Sequence, residues 1–152
     1  MRAGGAGREA GHLALWGVRV FTLAVNLPGP VAASRLSAMG ASVVKVEPPD
    51  GDPLARMCPG YYEDLSAGQE VVRLDLKDPQ DRASLDDRLE GADLLLTASR
   101  PAALGRLKLS WPELHADFPR LCQLAIVGHP PPDENAFRSE SGDTSTRGGD
   151  EP

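Results

Sequence analysis

The sequence predicts an α/β domain with a mainly parallel sheet and flanking helices, and three observations predict it. Short β-branched or apolar runs alternate with helix-like stretches from residue 12 to residue 127, the pattern of strand-helix-strand units. The run from Leu94 to Thr97 is nearly all apolar, as suits a strand covered on both faces. Strand-like runs give way to Pro, Gly and Asp at the positions where a chain must turn into a helix.

The first strand is predicted over Val18 to Val25 and must stop at Asn26-Leu27-Pro28-Gly29-Pro30, where prolines forbid further pairing. Pro30 suits a first helical turn, with Ala32, Leu36 and Met39 as the apolar side, the small Ala32, Ala33 and Ser34 for close packing, and Gly40 as the stop. A second strand, Ser42 to Val46, runs into Glu47-Pro48-Pro49 and a polar surface loop reaching about Gly60. A short helix over Tyr61 to Ala67 and a third strand over Val71 to Leu76 follow. Asp78 and Pro79 read as N-cap and first turn of a charged helix whose apolar side is Ala83, Leu85 and Leu89. Leu94 to Thr97 is the fourth strand, Ser110-Trp111-Pro112 open a helix that ends near Pro119, and Cys122 to Val127 is the fifth strand. Five strands in this arrangement make a Rossmann-like half.

Residues 1 to 11 lack periodicity, and residues 128 to 152 have only Ala136 and Phe137 as apolar side chains, so both are expected to be disordered. In 152 residues, 16 Lys and Arg stand against 22 Asp and Glu, a net acidic balance without the basic block that nucleic acid or an anionic membrane surface requires. The apolar stretch from His12 to Val25 is broken by Arg19 and is short of the roughly 20 residues that cross a bilayer. With no signal-peptide pattern at the start, a cytoplasmic protein is expected. Cys58 and Cys122 form no CxxC and no disulfide framework; they are expected as reduced thiols, buried or idle.

The loop after the first strand lies where open parallel sheets bind ligands, yet GxGxxG, the dinucleotide fingerprint, is absent. Glu47, at the end of the second strand, has two readings: a ribose contact, or a solvated carboxylate. His12, His115 and His129 share no ligand spacing with each other or with the cysteines, so no metal site is expected. Asp50 to Asp52 reads as a turn rather than a calcium loop, and no GxSxG elbow occurs.

The chain resembles the N-terminal part of family III CoA-transferases, the group of formyl-CoA transferase, carnitine CoA-transferase and α-methylacyl-CoA racemase. The resemblance is carried by Gly17-Val18-Arg19-Val20, by Pro28-Gly29-Pro30, and by Met39-Gly40-Ala41-Ser42-Val43-Val44-Lys45-Val46-Glu47-Pro48-Pro49 with Gly51-Asp52-Pro53 and Arg56. It continues through Leu74-Asp75-Leu76-Lys77-Asp78-Pro79, Ala92-Asp93-Leu94, Arg100 to Leu107, and Pro119-Arg120-Leu121. It implies a truncated large domain of an acyl-CoA transferase that moves CoA between carboxylic acids through an aspartyl anhydride, a division of one acyl transfer into easier steps. It implies a CoA thioester as substrate with no covalently bound cofactor, and a homodimer or a full-length relative as partner. The alternatives are a non-catalytic remnant that binds CoA or a partner, and a racemase-type relative that moves an α-proton.

Carried over by the resemblance, the CoA-contacting positions are Leu27 and Pro28, Leu74, Asp75, Leu76 and Lys77, Ala98, Ser99 and Arg100, and Arg106. Lys77 and Arg106 suit the ligand's phosphates. The candidate for the family's catalytic aspartate is Asp143, in Ser141-Gly142-Asp143-Thr144. This sequence has neither the glutamine that many transferases carry near Leu27 nor their basic residue near Pro48.

Overall fold

The computed structural model describes residues 13–128. The expected disordered end segments lie outside or at the limit of this range, and the candidate Asp143 lies outside it. Five strands pair in the order β3-β2-β1-β4-β5, every pair parallel. They are β1 (Arg19–Thr22), β2 (Ser42–Glu47), β3 (Glu70–Arg73), β4 (Leu94–Thr97) and β5 (Cys122–Ala125), joined by α1 (Pro28–Ala38), α2 (Pro53–Met57), α3 (Pro59–Ser66), α4 (Pro79–Leu89), α5 (Pro101–Arg106) and α6 (Trp111–Asp117). The chain builds β1, β2 and β3 outward in one direction, then crosses to the other side of β1 for β4 and β5. The carboxyl ends of β1 and β4 therefore frame a topological switch point, where open α/β sheets leave a crevice for ligands.

The sheet is covered through two apolar layers. Phe21, Val44, Val46 and Leu95 pack with Leu85 and Leu89 of α4, Leu104 of α5 and Leu114 of α6. Val20, Val43 and Leu96 pack with Ala33 of α1. Leu95 and Leu96 are both fully buried, as the apolar run of β4 predicts. Ala33 of the small-residue helix is also fully buried, whereas Met39, assigned to its apolar side, is 45% exposed. Ala32 and Leu36 do pack against the core as expected, and the fully covered positions of α1 are Gly29, Pro30 and Ala33. In α4, Leu85 and Leu89 are buried while Ala83 is exposed.

Several boundaries differ from the pattern for identifiable reasons. β1 ends at Thr22, because Leu23 still donates to Leu96 O but Asn26 then adopts φ 67°, a left-handed conformation incompatible with a strand. β3 ends at Arg73, because Asp75 and the Asp78 cap fold residues 75–81 into a turn: Lys77 N donates to Asp75 Oδ1 and Asp75 N to Asp81 Oδ2. Asp78 caps α4 as expected, accepting from the Gln80 and Asp81 amides. Pro59 starts α3 two residues early, and the expected surface loop before it holds α2, capped by Asp52 through the Leu54 amide at 2.8 Å. α5 is not delimited by periodicity at all. α6 begins as expected, Glu113 accepting from the Ser110 amide and hydroxyl. Cys58 and Cys122 are free thiols, and both are exposed rather than buried.

Gly29 is where α1 meets the end of β1, and a Cβ there would overlap that of Ala24. Gly29→Ala is expected to destabilise the chain by about 1–3 kcal/mol, read as a lower urea midpoint with unchanged slope; an unchanged midpoint would mean α1 does not sit this close to the sheet.

Candidate binding cleft

At the carboxyl end of the sheet lies a cleft of about 250 Å³. Leu23 and Val25 follow β1, Val46, Glu47, Pro48 and Pro49 end β2, and Leu74 to Lys77 follow β3; Ser99 follows β4, while Leu104 and Leu107 close the cleft from α5 and the residue after it. The wall is mostly apolar, with Glu47, Asp75, Lys77 and Ser99 as polar points. Such a surface suits a flat apolar group that carries hydrogen-bonding edges and leads to an anionic group near Lys77. Of the positions proposed from the sequence, Leu74, Asp75, Leu76, Lys77 and Ser99 line this cleft together. Leu27, Pro28, Ala98, Arg100 and Arg106 do not line it, and all five are exposed. Arg100 caps the start of α5 and Arg106 ends it.

Behind the cleft is an ionic cluster. Lys45, on the same face of β2 as Val43, is 1% exposed. Its Nζ donates to Asp52 Oδ2 at 2.7 Å and lies 3.0 Å from Glu47 Oε1, and it sits 4.4 Å from the centre of the Tyr62 ring, close enough for a cation–π contact. Tyr62 Oη donates to Glu47 Oε1 at 2.7 Å, and Arg73 Nε approaches Glu47 Oε2 at 3.9 Å from a largely exposed position. Glu47 and Asp52 are each 1% exposed. Glu47 is therefore no solvated carboxylate, and Asp52 is buried although the segment before it turns as expected, Gly51 N donating to Pro48 O: an ammonium in a sheet interior needs paired, hydrogen-bonded carboxylates. Sequence reasoning missed this role of Lys45; the available signal was a lysine inside the β-branched run Val43 to Val46, where a fully covered strand leaves it no route to solvent.

The described cleft has polar groups for binding and none arranged for attack. Among the described residues, Ser99 makes no hydrogen bond to a base, and His115 instead stacks on Trp111 at 4.7 Å. No group of three or more His, Cys, Asp and Glu among them converges as metal ligands. No described helix is long and apolar enough to cross a membrane.

Comparison with known proteins gives these features a context. Residues 15–144 match the family described as CoA-transferase family III. The chain is 33% identical over 119 residues to succinyl-CoA:D-citramalate CoA-transferase of Chloroflexus aurantiacus, covering 73% of this chain and 30% of that protein. It is 32% identical over 124 residues to cinnamoyl-CoA:phenyllactate CoA-transferase of Clostridium sporogenes, covering 74% and 30% respectively. Among solved structures, a hypothetical protein of Mycobacterium tuberculosis superposes with a TM-score of 0.74 at 28% identity, covering 78% of this chain and 34% of the other. A CaiB/BaiF family protein of Brucella suis gives 0.71 at 26% identity, covering 80% and 35%. The chain thus spans about 30% of the length of these curated relatives.

Desolvation, and then the hydrogen bond and charge of Glu47, hold the Tyr62 phenol above its ordinary value. A raised phenol keeps its proton in the folded state where the unfolded chain loses it, so this group's contribution is full below about pH 10 and is lost as pH rises further. Between about pH 9 and 11 the wild-type urea midpoint should fall more steeply than that of Tyr62→Phe; parallel curves would contradict the placement of Tyr62 against Glu47.

Proposed function

The chain belongs to CoA-transferase family III, and from that premise we propose that its α/β unit binds the coenzyme A portion of an acyl-CoA thioester in the cleft at the carboxyl end of the sheet. The observation that carries this reading is the convergence of Leu74, Asp75, Leu76, Lys77 and Ser99 on one cleft at the topological switch point. The cleft is smaller than the roughly 300–1,000 Å³ of sites that enclose a whole drug-sized ligand. It therefore takes one end of CoA, the apolar wall receiving a ring and Lys77 a phosphate, while the remainder runs along the surface.

The reaction proposed for the complete assembly is transfer of CoA between carboxylic acids through an aspartyl anhydride, with Asp143 as the candidate nucleophile. A carboxylate that attacks a thioester needs a fixed position near the carbonyl carbon, and the described residues supply the binding half of that requirement. A second reading, a CoA-binding chain without chemistry of its own, is favoured by the lack of a nucleophile and base pair in the cleft among the described residues. The two differ in turnover, not in binding. A cytoplasmic location and a polypeptide partner, either a second copy or a full-length relative, are proposed with them. The partner is supported by Trp111, Leu124 and Val127, which are 49%, 48% and 40% exposed at the β5 side of the sheet, where apolar surface favours association.

Calorimetric titration of the full chain with CoA and acetyl-CoA tests the binding reading. Saturable binding is expected, weakened about tenfold by Lys77→Ala, the loss of one charge-assisted phosphate contact, and less by Arg106→Ala, whose side chain lies outside the cleft. Absence of binding by a chain with a cooperative unfolding transition would overturn it. Sedimentation velocity over a range of concentrations tests self-association: a second copy predicts a concentration-dependent shift above the monomer, and a constant monomer removes that partner.

A further inference from the structure

We infer that Asp52, held by Lys45, is a positioning residue that sets the turn after β1 and through it one wall of the cleft; its consequence for binding rests on the CoA reading above, while the tether itself does not. Asn26 stands at φ 67°, a left-handed conformation that Asn adopts more readily than other residues with a side chain. The holding contact runs from the Asn26 amide to Asp52 Oδ1 at 3.3 Å, across 26 residues of sequence. Val25, immediately before this turn, lines the cleft, and α1 begins immediately after Leu27.

Asp52 suits this task through the division of its oxygens. Oδ1 accepts from the Asn26 and Leu54 amides, so it ties the β1–α1 turn to the start of α2. Oδ2 accepts from Lys45 Nζ at 2.7 Å, which fixes the plane of the carboxylate. The Asp52 amide in turn donates to Glu47 Oε2 at 3.3 Å, and Glu47 is itself part of the cleft wall. Capping α2 alone would use one oxygen of an exposed Asp or Ser. Stability alone does not account for the cluster either, since burying an ion pair costs about as much as its attraction returns. What the arrangement adds is a tie between the loops that leave β1 and β2, beyond the last paired residues Thr22 and Lys45.

The test compares Asp52→Ala with Asp52→Asn in the full chain, by amide hydrogen exchange and by CoA titration. Asp52→Asn can keep its oxygen on the Asn26 and Leu54 amides but turns its NH2 toward the Lys45 ammonium in place of Oδ2, so it keeps the tether, loses the hold of Lys45 and leaves Lys45 with Glu47; Asp52→Ala removes the tether. Exchange at Asn26 is expected to accelerate about tenfold in Asp52→Ala and less than about threefold in Asp52→Asn, while the Leu95 amide in the sheet interior is unchanged in both. Unaltered exchange at Asn26 in Asp52→Ala, or equal acceleration in both variants, would overturn the inference. Where Asp52→Ala does not fold, Asp52→Ser, which still caps α2 without reaching Asn26, takes its place with the same expectation. In the titration, CoA affinity should fall about tenfold in Asp52→Ala and stay within about threefold of wild type in Asp52→Asn; wild-type affinity in Asp52→Ala would overturn the role in binding. If the wild-type chain binds no CoA while exchange behaves as expected, the functional reading fails and the positioning role stands.

Discussion

A lysine ammonium enclosed in the middle of a parallel sheet is the constraint around which the carboxyl end of this protein is organised. Lys45 is 1% exposed and has no route to solvent, so its charge must be met by groups brought to it. Two carboxylates meet it, Glu47 from the same strand and Asp52 from the following loop, and the Tyr62 ring closes a third side. Each partner carries a piece of backbone with it. Asp52 fixes the start of α2 and the turn after β1, Tyr62 brings α3 against the end of β2, and Glu47 holds the approach to Pro48 and Pro49. Removing Lys45 would leave Glu47 and Asp52 buried without their ammonium, which costs about 3–5 kcal/mol and matters against the total stability of a small domain.

That cluster lies directly behind the cleft because of sheet topology. With β1 in the centre and the chain crossing from β3 to β4, the loops after β1 and β4 diverge toward opposite faces and leave a crevice between them. Leu74 still donates to Glu47 O of β2, and the residues after it reach the crevice as a turn held by Asp75, Asp78 and Asp81. The cleft is thus a joint product of an apolar sheet end and of two loops pinned by carboxylates. The chain belongs to CoA-transferase family III and spans about 30% of the length of its curated relatives.

Where local signals agreed, the sequence was legible: β4 was bounded correctly, because Leu94, Leu95 and Leu96 are continuous and a two-sided strand has no polar alternation to blur its ends. The start of α4 was legible from Asp78-Pro79, a signal contained in two residues. Strand ends were less legible, since Leu23 to Val25 and Leu74 to Leu76 are as apolar as the strands they follow and leave the sheet because of turns fixed by distant side chains. Of the positions proposed through family resemblance, Leu74 to Lys77 and Ser99 line one cleft and Leu27, Pro28, Ala98, Arg100 and Arg106 do not. The burial of Lys45, Glu47 and Asp52 was not found, because residue type argues for exposure in each, and only the three taken together make burial affordable.

We propose that CoA binds in the cleft between the ends of β1, β2, β3 and β4. Amide chemical-shift mapping of the isotopically labelled full chain during addition of CoA tests it most directly, because it reports location as well as affinity. Binding there predicts saturable shifts concentrated at Val25, Glu47, Leu74 to Lys77 and Ser99, with the amides of α6 and the amino-terminal ends of the strands unmoved. Shifts centred on α6 and β5, or none in a folded chain, would contradict it.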